Sequence, residues 1–72
     1  MLETLKEIIT DVIGEKEMDN TTKISGLQMD SLDFVDFIAK LEDEFKITIT
    51  DEEARLISCK TIGELMGFID GK

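Results

Sequence analysis

The chain has no histidine, no proline, no tryptophan and no tyrosine, and a single cysteine, Cys59. Each absence removes a class of chemistry. Without histidine, a Ser-His-Asp arrangement cannot activate a serine nucleophile. Zinc sites built from His and Cys are excluded by composition. One cysteine cannot close an internal disulfide, so the fold does not rely on oxidation. Residues 1–13 alternate apolar with charged side chains and do not read as a secretory leader. No apolar run approaches the length that crosses a bilayer. The expectation is a protein of the reducing cytoplasm with no membrane insertion.

Positive charge is also scarce. Lys and Arg number 8 against 17 Asp and Glu, a formal net charge of −9. Binding nucleic acid needs clustered Lys and Arg to meet phosphates, so nucleic acid is not a partner, and anionic membrane surfaces are disfavoured likewise. Such a field either keeps a protein well solvated or steers basic protein partners inward at low salt. The length, 72 residues, makes one domain, 1–72, and leaves no room for a deep, preorganised catalytic cleft.

What is present is helical periodicity. Leu2, Leu5, Ile8, Ile9, Val12 and Ile13 recur at helical spacing, and Gly14 follows where a C-terminal glycine belongs. Residues 15–27 lack a sustained period and are rich in Asp19, Asn20, Thr21, Thr22, Ser25 and Gly26, which read as a long ordered loop with room for a short helical turn. Met18, Ile24 and Leu27 are its candidate anchors. A second helix is expected over Ser31 to Phe45, capped by Asp30 and with Asp33 in its first turn. Residues 47–50 alternate like a strand but have no partner strand, so they read as an extended connector with Ile47 or Ile49 inward. Thr50 with Glu53, and Thr61 with Glu64, each fit a capping box. The first opens a short third helix to about Ile57, with Ala54 and Ile57 inward. The second opens a fourth carrying Ile62, Leu65, Met66 and Ile69. Gly71 and Lys72 read as a free tail. The fold class is all-α: a small four-helix bundle with a long first loop and a short third helix.

The second helix carries more apolar surface than a bundle needs. At about 100° per residue, Phe34, Phe37, Ile38, Leu41 and Phe45 form one core stripe. Leu32, Val35 and Ala39 form a second sector, flanked by Glu42 on one side and by Asp36 and Asp43 on the other. That sector is either scattered surface residues or a docking strip for a partner with an apolar groove and basic rim. Asp30, Asp33 and Asp36 step by threes along a helix, which is not a calcium loop, and Gly26 stands alone, which is not a phosphate loop. No metal site is expected. Cys59 falls in a connector. Ser31 remains, at a helix start where backbone N–H groups and the dipole favour an anion. It either helps to cap the helix or carries an attached phosphodiester.

Asp30-Ser31-Leu32, followed by Asp36, Leu41-Glu42-Asp43-Glu44-Phe45 and Ile49-Thr50-Asp51-Glu52-Glu53-Ala54, resembles the acyl carrier protein family, and the likeness extends over essentially the whole chain. The resemblance implies that Ser31 carries a 4′-phosphopantetheine arm, transferred from coenzyme A by a phosphopantetheinyl transferase, and that the protein is not an enzyme. It implies that Asp30 helps to position the transferase and its Mg²⁺. Leu32, Val35 and Ala39 would dock acyl-processing enzymes, with Asp33, Asp36, Glu42 and Asp43 meeting their basic patches. Phe34, Ile38, Leu41, Ile57 and Met66 would border a shelter for the acyl chain. The implied protein is a monomer serving fatty-acid or specialised acyl or polyketide biosynthesis. Gln28 stands where the family usually has glycine after Leu27, and Thr50 where it usually has proline. The alternative, independent of any modification, is an acidic helical docking module for basic proteins.

Overall fold

The computed structural model describes residues 1–72. Four helices follow in order: α1 Leu2–Ile13, α2 Ser31–Phe45, α3 Asp51–Ser58 and α4 Ile62–Asp70, with one turn of 3₁₀ helix, Ile24–Leu27, between α1 and α2. They form a small all-helical bundle with no sheet.

The local reasons for these boundaries are visible. Gly14 takes φ 87° after α1 and its N–H donates to Thr10 O at 2.9 Å, a conformation that a side chain would resist. Asp30 Oδ1 accepts from Asp33 N–H at 2.8 Å and starts α2. Thr50 and Glu53 bond reciprocally at 3.1 and 3.0 Å, as do Thr61 and Glu64 at 3.2 and 2.9 Å, so both expected capping boxes form. These bonds hold the Glu64 carboxyl below its usual range, the Thr61 backbone N–H being the largest cause.

Every buried residue is apolar. Leu5 and Ile9 of α1, Phe37 and Leu41 of α2, Ile57 of α3, and Ile62 and Leu65 of α4 are fully enclosed. Removing such a side chain from water contributes about 1.5–3 kcal/mol each. Ile24 and Leu27 are buried and Met18 is half-buried, so the loop anchors read from the sequence are in place. Of the two candidates in the α2–α3 connector, Ile49 turns inward and Ile47 is half-buried. Ala54 and Met66 are also only half-buried, because each lies at the edge of its helix's inner face.

Two tertiary features were not foreseen. The long loop does more than rest on the core: its backbone pairs with the α3–α4 turn. Ile24 N–H donates to Lys60 O at 2.9 Å, Ile62 N–H to Thr22 O at 2.8 Å, and Gly63 N–H to Asn20 O at 2.9 Å. A Cβ at Gly63 would stand 3.1 Å from Asn20 O, so a side chain here would push the loop backbone back by a few tenths of an ångström. The C-terminus is not free either. Lys72 Nζ meets both Glu53 oxygens, at 3.0 and 2.8 Å, and lies 5.3 Å from the Phe68 ring centroid. The cation holds the Glu53 carboxyl below its usual range. Length explains the miss: the pair is separated by nineteen positions, which no local spacing encodes.

Candidate functional site

Ser31 is the first residue of α2, and it is exposed. Three neighbours set its surroundings. Asp30 is extended at φ −78° and turns its Oδ1 onto the Asp33 amide, which leaves Oδ2 without a partner. The Ser31 hydroxyl itself makes no hydrogen bond; the carboxylate alone performs the cap. The amides of Ser31 and Leu32 have no intrahelical acceptor and face outward at the positive end of the dipole. Upstream, Gln28 takes the left-handed conformation, φ 58°, and redirects the chain from the 3₁₀ turn toward Asp30. The capping alternative for Ser31 thus falls to Asp30, and an uncommitted hydroxyl stands at an anion-favouring helix start.

A groove of ≈ 490 Å³ is lined by Lys23, Ile24, Ser25, Met29, Phe34, Ser58 and Cys59, two of which, Met29 and Phe34, lie within three positions of Ser31 in the chain. At Ser31 itself, an exposed hydroxyl at the start of a fifteen-residue helix, with the cap made by Asp30, fits a phosphodiester-linked arm. Cys59 is exposed and caps α3, as a connector residue does.

The second sector of α2 is exposed as its spacing requires: Leu32 is 79 % and Val35 65 % exposed, and Ala39, Asp36 and Asp43 are open to solvent. Asp33 is partly covered. The fold adds what the wheel could not. Val35, Ala39 and Glu42 form one wall of a second groove, ≈ 250 Å³, with Phe34 and Ile38 at its base and Ile49, Asp51 and Ala54 opposite. Leu32, Asp33, Asp36 and Asp43 lie outside that groove. Sequence reasoning missed Ile49, Asp51 and Ala54 as surface partners of the strip, because a wheel describes one helix and not its neighbour. Leu56 of α3, 57 % exposed beside buried Ile57, lines neither groove. Of the side chains expected to border an acyl shelter, Phe34 and Ile38 line the groove, whereas Leu41 and Ile57 are wholly enclosed in the core and Met66 lines none.

Phe34 touches both grooves, and its ring centroid lies 6.3 Å from that of buried Phe37 at 42°. This tilted aromatic contact steadies a half-exposed side chain from below. No group of three or more His, Cys, Asp or Glu side chains is placed to hold a metal ion, and no helix is long and apolar enough to cross a membrane.

The bundle thus presents an exposed, uncommitted serine at the start of α2. The phosphopantetheine attachment site family matches residues 3–69 of this chain. The acyl carrier protein of Lactobacillus acidophilus is 40% identical over 68 residues, which cover 90% of this chain and 82% of that protein. The chain belongs to the phosphopantetheine-bearing acyl carrier protein family. It is a carrier and not a catalyst, and its cofactor is 4′-phosphopantetheine.

Proposed function

We propose that the chain is a single carrier domain, 1–72, primed on Ser31 and working as a monomer in the cytoplasm for fatty-acid or specialised acyl or polyketide biosynthesis. The observation that carries this reading is the exposed, unbonded Ser31 hydroxyl at the head of α2, within a chain of the carrier family. When attached, the arm supplies a terminal thiol that holds acyl groups as thioesters. The protein's own residues bind and present. The helix start stabilises the phosphodiester. Asp30, with one carboxylate oxygen uncommitted, helps to position the transferase and its Mg²⁺. Leu32, Val35 and Ala39 dock acyl-processing enzymes, and Asp33, Asp36 and Asp43 meet their basic residues and raise the rate of encounter.

Incubation with coenzyme A and a phosphopantetheinyl transferase, followed by intact-mass measurement, tests the assignment. One pantetheine adduct is expected, and Ser31→Ala abolishes it without unfolding the chain. No adduct, or one that survives Ser31→Ala, overturns the assignment. Val35→Glu and Asp36→Lys separate docking from attachment: both slow priming while Ser31 remains modifiable at high transferase concentration. A protein whose partners bind equally well after Ser31→Ala and fail only after Val35→Glu would be the modification-independent module instead.

A further inference from the structure

We propose that Glu42 serves partner recognition through the backbone it holds and not through its charge. The inference rests on the carrier reading and refines it. Three amides of the α2–α3 connector, those of Lys46, Ile47 and Ile49, converge on this one residue. The Glu42 carbonyl accepts from the cap N–H of Lys46 and, at 3.2 Å, from Ile47 N–H. Its carboxylate then reaches past the helix end: Oε2 accepts from Ile49 N–H at 2.8 Å. No other side chain of α2 bonds to backbone outside its own first turn.

The consequence is a wall. Ile49 is buried, and it closes one side of the groove that Val35 and Ala39 close on the other. The connector contains no proline and no disulfide to fix it. Beside the packing of Ile47 and Ile49, the Glu42–Ile49 bond is the one side-chain hydrogen bond that ties the connector's backbone to α2. Ile49 N–H has no other acceptor, so losing the carboxylate leaves a part-buried amide unpaired, and that amide opens to water. Asp36 and Asp43 are exposed and hold no backbone, so their roles are those of free charges. Glu42 is half-buried, with one oxygen committed, and a positioning residue in this sense.

Two conservative substitutions pull the roles apart. Glu42→Gln drops the charge and keeps an acceptor at the same reach. Glu42→Asp keeps the charge and is too short to reach Ile49. The measurements are amide hydrogen exchange at Ile49 by NMR and the rate of Ser31 priming by transferase and coenzyme A. Expected: E42D speeds Ile49 exchange by about tenfold or more, as loss of one charged-group hydrogen bond implies, and slows priming. E42Q keeps a weaker, neutral acceptor, so Ile49 exchange rises by less than in E42D and priming stays near the wild type. The reverse pattern, with E42Q slow in priming and E42D unaffected, overturns the proposal in favour of a charge contact. Equal loss in both variants with Ile49 still protected overturns it too. Failure of the wild type to accept the arm overturns the carrier assignment, which the Ile49 exchange pattern does not depend on.

Discussion

Gln28 is a non-glycine residue held at φ 58°, ψ 39°, three positions before Ser31. For an L-residue with a Cβ this left-handed conformation costs about 1–2 kcal/mol. Glycine removes that cost, and its greater freedom in the unfolded chain returns roughly 0.5–1 kcal/mol of the gain. The side chain is exposed, so little packing is lost. Gln28→Gly should therefore stabilise the fold by about 0.5–1 kcal/mol, a rise of about 2–8 °C in melting temperature for a domain of this size. Urea unfolding followed by circular dichroism measures it, and the slope m should not change. Gln28→Ala retains the Cβ and should gain nothing. Lys46, at φ 57° after α2, has the same backbone. Lys46→Gly should gain a similar amount. A Gln28→Gly protein no more stable than the wild type, with m unchanged, would refute the claim that the turn before Ser31 is strained.

Further expectations follow from the core and the charges. Phe37→Ala empties the centre of α2's inner face and should cost about 3–5 kcal/mol, enough to unfold much of a marginal domain at room temperature, which calorimetry would read as a lost or sharply lowered transition. Glu64 has a depressed folded-state pKa, so its contribution is present above the ordinary value of 4.5 and is lost as pH falls through the folded value. The stability difference between wild type and Glu64→Ala should accordingly be constant near neutrality and shrink below about pH 4.5; a difference that grows on acidification would contradict this sign. With a net charge of −9, self-repulsion should ease with ionic strength, so the melting temperature should climb from low salt to about 0.15 M and climb further with millimolar divalent cation. Insensitivity to both would count against the role given to repulsion.

Much of the bundle is readable in single segments. α1 ends at Gly14, α2 starts at Asp30, and α3 and α4 open at Thr50 and Thr61 because capping joins residues three or four apart, within a span that spacing alone encodes. The core stripe of α2 is legible for the same reason, although only Phe37 and Leu41 are fully enclosed while Phe34, Ile38 and Phe45 lie at its margins. Ser31 is a different case. Physics alone left its hydroxyl undecided between cap and attachment point. The family motif pointed to attachment, and the geometry hands the cap to Asp30.

The helices, their caps, the acidic surface and the serine at the head of α2 follow from composition or from contacts between residues three or four apart. The other features come from contacts between distant segments, which the fold supplies. It paired the long loop with the α3–α4 turn through Thr22, Ile24 and Gly63, and it tied Lys72 to Glu53. It made the Val35 and Ala39 strip one wall of a groove whose other wall belongs to α3 and its connector. It also turned Glu42, one carboxylate among several on the wheel, onto the Ile49 amide. These pairings join segments that only folding brings together. Their energy depends on distances that helical periodicity does not contain.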